Sequence, residues 1–108
     1  MSRPSDLVQG TLDLLLLKIL ALEPLNGWAI SQRLKQVSGD VLQVSDGSLY
    51  PALHKLEKEG LVESFDGTEN NRSRRYYRLS MAGRSALAKD RAEWRELSRA
   101  VTLILEGA

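Results

Sequence analysis

The chain has 108 residues, the length of one ordinary domain, and no cysteine, which excludes disulfides, thiolate metal sites and cysteine nucleophiles. Fifteen Lys and Arg face fourteen Asp and Glu, so the net charge is only +1 and any nucleic-acid surface has to be a local patch. With 43% hydrophobic and 27% charged residues, the composition is that of a soluble globular protein and not of a disordered one.

The opening stretch MSRPSD is polar and lacks the apolar run of a secretory signal. Leu12 to Leu22 (LDLLLLKILAL) carries Asp13 and Lys18 and is about half the roughly 20 residues that a membrane span needs. A cytoplasmic protein without a membrane partner is expected. The same stretch, apolar on most sides and rich in Leu, predicts a core helix that stops before Pro24.

Asn26-Gly27 is turn chemistry, and Asn26 suits the N-cap of a second helix, Trp28 to Val37. Its apolar positions are Trp28 or Ala29, Ile30, Leu34 and Val37, and Gly39-Asp40 stops it. Val41 to Val44 is a candidate short strand. Ser45 to Gly47 reads as a turn or 3₁₀ lead-in to a third helix, regular from about Ser48 to Glu59. That start places Pro51 in the first turn, where its missing N–H is harmless. Leu49, Leu53 and Leu56 form its buried stripe, and Gly60 ends it.

Two strands follow, Leu61 to Phe65 and Arg74 to Leu79, joined by DGTENNRS as a hairpin loop longer than the tightest turns. Alternation puts Tyr77 in the core and leaves Tyr76 partly exposed. Ser80 then caps a final helix, Met81 to about Glu106. A heptad-like series runs along it, Leu87, Trp94, Leu97, Val101 and Ile104, with no later segment to cover it.

Enzymatic chemistry finds little support. His54 is the one histidine and reads as a helix-surface residue, and no phosphate-binding glycine loop occurs. No catalytic residue, metal ligand set or cofactor is therefore expected. Three helices followed by a hairpin give the order of a winged helix-turn-helix, whose third helix enters the major groove while the wing lies over phosphates. Arg72, Arg74, Arg75 and Arg78 place four arginines in seven residues of this hairpin. They can hold phosphate oxygens, or they can be solvated and pair with Glu63, Asp66 and Glu69. With the leucine stripe inward, Ser48, Pro51, Ala52, Lys55 and Lys58 occupy the outer side of the third helix and its flanks, while Glu57 and Glu59 face away from DNA.

Ser48-Leu-Tyr-Pro-Ala-Leu-His-Lys-Leu-Glu-Lys-Glu-Gly-Leu-Val62 and Arg75-Tyr-Tyr-Arg-Leu79 resemble the PadR-like transcriptional regulators, as do Gly10-Thr-Leu-Asp-Leu14 and Asn26-Gly-Trp-Ala-Ile30. The resemblance runs from about Gly10 to Leu105. It implies a homodimeric winged-helix repressor that joins through its C-terminal helix and binds an inverted-repeat operator in double-stranded DNA. It carries recognition-helix roles onto Ser48, Tyr50, Pro51 and Lys55, and wing roles onto Arg72 and Arg74. Trp28 stands where the family commonly has tyrosine, a change expected to affect packing more than reading.

With one long helix after the wing, the chain is similar to the short subgroup, some of whose members bind flat aromatic compounds between dimer-related tryptophans. Trp94 matches that position. It either packs the dimer or lines a pocket for a small aromatic effector. The expected class is α+β: an N-terminal arm (1–9), a winged-helix DNA-binding domain (10–80) and a dimerisation helix (81–108). The alternatives are a winged-helix protein–protein adaptor without DNA binding, and a small-molecule sensor centred on the dimer interface.

Overall fold

Helix α1 (Pro4–Leu20) is the element against which the others are laid, in a computed structural model that describes residues 4–107, with side chains from residue 10 onward. It begins before the expected Leu12, with proline at its first position, where the ring's fixed φ suits a helix start. The helix therefore takes in most of the segment expected as an arm, while residues 1–3 and 108 of the outer segments lie outside the described residues. Leu16 and Leu17 are fully buried, and Ile19 and Leu20 nearly so. Helices α2 (Gly27–Val37), α3 (Asp46–Lys58) and α4 (Met81–Gly107) and strand β3 (Arg72–Leu79) all pack against α1.

A two-residue strand that the sequence reading missed, β1 (Leu25–Asn26), pairs antiparallel with β3, Leu25 opposite Tyr77 and Asn26 opposite Tyr76. Helix α2 (Gly27–Val37) follows at once, and the Asn26 side-chain oxygen accepts the Ala29 N–H at 2.9 Å, as its N-cap role requires. Ile30 and Leu34 are buried, but Trp28 is 67% exposed and Val37 73%. Trp28 precedes Ile30 by two residues, about 200° around the helix, so it faces solvent, and half-buried Ala29 takes the inner position. Val37 lies past the end of the core. Val41 to Val44 forms no strand; Val41 and Leu42 are exposed, and the Leu42 N–H bonds to Ser38 Oγ at 2.9 Å.

Helix α3 (Asp46–Lys58) starts two residues before the expected Ser48, so Pro51 sits in its second turn and leaves the Gly47 carbonyl without its usual i+4 donor. The opening is nonetheless tight, because the N–H groups of Ser48 and Leu49 both reach the Ser45 carbonyl, at 3.0 and 2.8 Å. Leu49, Ala52, Leu53 and Leu56 are buried, which moves Ala52 from the expected outer side to the core. Gly60, at φ 77°, closes the helix with the paired bonds of a Schellman motif, Leu61 N–H to the Leu56 carbonyl and Gly60 N–H to that of Glu57.

Strands β2 (Val62–Glu69) and β3 (Arg72–Leu79) are longer than expected, pairing from Val62 opposite Leu79 out to Glu69 opposite Arg72. The connection is only Asn70-Asn71, with φ of 51° and 64°. A two-residue type I′ turn needs both central residues at positive φ, and asparagine tolerates that region better than other side chains. Most of the expected loop is thus ladder. Tyr77 is buried and Tyr76 half-buried, as alternation requires. The sheet order is β1-β3-β2. This is the expected α+β winged helix.

Helix α4 (Met81–Gly107) is anchored at the base of the wing. The Ser80 hydroxyl accepts the Gly83 N–H at 3.0 Å and donates to the Gly60 carbonyl at 2.7 Å. A Cβ at Gly83 would stand 2.1 Å from the Leu61 carbonyl oxygen, so only glycine lets the helix approach the backbone this closely. Gly83→Ala should therefore force α4 off the wing base and destabilise the fold by about 1–3 kcal/mol, the usual range for overpacking. Urea unfolding followed by circular dichroism measures it, and a midpoint equal to wild type would show that the junction yields without cost.

Candidate nucleic-acid interface

Helical geometry decides what α3 presents. With Leu49, Leu53 and Leu56 turned inward, 100° per residue places Gly47, Pro51, His54 and Lys58 on the outermost stripe, all of them exposed. Ser48 and Lys55 lie on one flank and Tyr50 on the other. His54, read from sequence as a mere surface residue, therefore stands beside Pro51 at the centre of the free face. Its signal was available in the i+3 spacing from Pro51.

The two flanks are tied down. A Cβ at Gly27 would lie 2.3 Å from the Tyr50 hydroxyl oxygen, so the Tyr50 ring rests on the start of α2. On the other side Lys55 Nζ donates to Asp13 Oδ2 of α1 at 2.8 Å. This hydrogen bond, against some desolvation, raises the Lys55 ammonium above its ordinary value of 10.5. Glu57 faces the sheet, accepting from the Ser64 hydroxyl, which in turn accepts from Arg75 at 2.7 Å.

On the wing, period-two alternation sorts the arginines. Arg75 shares the inner face with Tyr77 and clamps the hairpin to α3, lying 3.8 Å from Glu57 and 3.7 Å from Asp66. Arg72, Arg74 and Arg78 share the outer face with Tyr76. There Phe65 and Tyr76 stack with centroids 5.7 Å apart, Arg78 lies 5.2 Å over the Phe65 ring, and Gly67 leaves room for Tyr76 to lie flat. Arg78 pairs with Glu63 at 3.8 Å and Arg74 with Glu69 at 3.4 Å. The acidic partners weighed from sequence are thus all engaged, and among the described ion pairs Arg72 has none. Exposed pairs of this kind contribute about 0–1 kcal/mol and exchange readily for a phosphate.

One chain of contacts joins the two parts. Tyr50 of α3 rests on Gly27; the neighbouring Asn26 donates to Glu69 at 3.4 Å; Glu69 holds Arg74. Exposed Trp28 stands at the same start of α2. The N-terminal half of α3 and the arginine edge of the wing are therefore neighbours.

The family model described as "Transcriptional regulator PadR-like family" matches residues 16–89, which span α3, the wing and most of the α1 core. The chain belongs to this family. A PadR family regulator from Eggerthella lenta superposes with a TM-score of 0.81 at 31% identity, covering 95% of this chain and 88% of that one. A transcriptional regulator from Clostridium thermocellum gives a TM-score of 0.83 at 26% identity, covering 90% and 95%. In sequence, a transcriptional regulator of Mycobacterium tuberculosis is 45% identical over 67 residues, 62% of this chain and 63% of that protein.

In this PadR-like regulator Trp94 is 42% exposed and borders two clefts. One, of about 270 Å³, lies between α1 and α4, with Asp13, Asp90, Glu93 and Leu97 in its wall. The other, of about 570 Å³, is mainly apolar and is lined by Leu12, Leu15, Leu34, Leu42 and Val44, with Ser45 and Ser48 at its edge. Leu87 of the α4 series packs against the core of its own chain, whereas Leu97, Val101 and Ile104 face solvent. Among the described residues no helix is long and apolar enough to cross a membrane.

Burial, with Glu93 adding to it, raises the Asp90 carboxyl above its ordinary 3.8. A carboxyl whose pKa is higher folded than unfolded costs stability when ionised, and that cost disappears as the pH falls below the unfolded value. Asp90→Asn should raise the melting temperature at pH 7, and the gain should shrink as the pH falls towards 3.8. Paired thermal melts test this, and a gain independent of pH would assign it to packing instead.

Proposed function

We propose that the protein is a sequence-specific DNA-binding repressor that works in the cytoplasm as a homodimer. The observation that carries this reading is the chain of contacts from Tyr50 through Asn26 and Glu69 to Arg74, with the exposed face of α3 at one end and, at the other, Arg72, which has no partner among the described ion pairs. In it Ser48, Tyr50, Pro51 and Lys55 meet the major groove or its walls. Arg72 and Arg74 hold phosphates beside it. Leu97, Val101 and Ile104 are covered by the partner's α4, since an apolar face of this extent is not left in water.

The test is a salt titration of binding to duplex DNA, after selection of bound sequences from a random pool. Each phosphate held contributes about −0.9 to the slope of log affinity against log salt, so Arg72→Ala should flatten it by roughly 2 per dimer. Arg74→Ala should flatten it less, because Glu69 already neutralises part of that charge. The selected sites should be inverted repeats with half-site centres about 10 bp apart. Binding that ignores salt and sequence would point to a protein–protein adaptor instead.

Trp94 supports a second, compatible reading as a sensor, in which a flat aromatic effector stacks on the indole in the clefts it borders. A Trp28→Phe variant leaves Trp94 as the one indole. Saturable quenching by a flat aromatic cation, with a parallel change in DNA affinity, is expected. Dissociation of Trp94→Ala to monomers without any quenching in the parent would reduce the residue to dimer packing.

A further inference from the structure

The cation that sequence places on the reading helix is not free. Lys55 lies on the flank of α3 that faces α1, and its ammonium is 2.8 Å from Asp13 Oδ2. The two partners differ in exposure: the Asp13 side chain is 14% exposed, the Lys55 side chain 52%. Among the described residues Asp13 Oδ1 is buried with no hydrogen-bond partner. Among the described ion pairs Lys55 is the one cation that Asp13 has. A carboxylate so placed holds its counter-charge, since losing it leaves a largely shielded negative charge uncompensated. Lys55 has no comparable need of Asp13, because its head is half in water.

We propose that Asp13 is a positioning residue for DNA reading: it restrains Lys55 against α1, so that α3 meets the phosphates with a neutralised pair where the sequence shows a free cation. The inference rests on the DNA-binding reading given above and adds a residue that touches no DNA. Its physical content is a competition. A phosphate approaching the flank of α3 attracts the ammonium, but it also meets the negative charge of Asp13 behind it, and drawing Lys55 outward leaves that half-buried carboxylate without its cation. The raised Lys55 pKa follows from the same hydrogen bond. Free positive charge on the outer face of α3 then comes from Lys58, which has no described ion pair, and the full wild-type salt dependence falls mainly to Lys58 and the wing. Asp13 belongs to the helix that also packs against α4, so the restraint is set by how α1 is seated and not by the reading helix itself.

The experiment measures the salt slope of duplex binding for the whole protein and for Asp13→Asn, which keeps the shape of the side chain and removes its charge. Release of one cation per protomer should strengthen binding and steepen the slope by about 1.8 per dimer, at roughly 0.9 per phosphate. Adding Lys55→Met to Asp13→Asn should take the whole gain away, whereas a general change in fold or net charge would survive that second substitution. An unchanged slope in a folded Asp13→Asn protein overturns the restraint. So does a flatter slope with weaker binding, since Asp13 would then be presenting Lys55 to DNA and not withholding it. Should Asp13→Asn fail to fold, Lys55→Met alone decides. Restraint predicts a flattening well under half of that seen for Arg72→Met, and an equal flattening overturns it. A wild-type protein with no salt-dependent duplex binding fails the DNA-binding reading itself, an outcome read before any variant is made.

Discussion

Every element of the winged domain is placed by the apolar length of α1. Leu16 and Leu17 have no solvent exposure, and the helix touches α2, α3, α4 and β3. A helix that is apolar on most sides cannot lie on a surface, so the other elements have to close round it. Once they do, the inner stripes of α2 and α3 have one common wall, and the angle at which α3 leaves the body is settled by packing within the chain. The same helix delivers Asp13 to the flank of α3, where a charge inside the apolar run can reach Lys55. The core and the proposed reading surface thus share one element.

The wing shows how a basic sequence can be electrostatically quiet until it meets an anion. Its four arginines divide by strand face, and Arg75, on the inner face, serves the hinge to α3 through Ser64 and Glu57. The outer arginines Arg74 and Arg78 are paired with acids at 3.4 and 3.8 Å. Such pairs limit non-specific attraction at a distance, because each is a dipole and not a net charge. At contact they can exchange partners, and the stacked Phe65 and Tyr76 keep the outer face ordered meanwhile. The hairpin reaches its full length because Asn70 and Asn71 accept positive φ, which carries Arg72 to the end of the ladder.

Anchoring of α4 has a different character. Its first turn is fixed to the wing base by the Ser80 hydroxyl and by the absence of a side chain at Gly83. Its last turns carry Leu103, Ile104 and Leu105 into solvent. Trp94 stands midway, between the anchored and the free part, on clefts that reach Ser48 on one side and Asp13 on the other.

The winged-helix order, the Asn26 and Ser80 caps, the Gly60 stop and the burial of Tyr77 were legible in the residues, because each follows from local backbone preference or simple periodicity. The family itself was legible in two contiguous motifs around α3 and β3. What sequence could not supply were features that depend on elements far apart in the chain. Strand β1 exists only because β3 offers Leu25 and Asn26 an edge to pair with. The full length of the hairpin depended on cross-strand register, which a run of turn-forming residues concealed. Ala52 lies in the core where the outer side was expected, and of the two residues weighed for the inner stripe of α2 Ala29 takes it while Trp28 faces solvent, because only packing decides how wide a face each helix buries. Lys55 is the sharpest case. From sequence it is a cation on a reading helix; 42 positions earlier, Asp13 is an acid in an apolar run, and only folding brings the two together. Local physics wrote the elements and their caps, and long-range packing decided which charges they leave free.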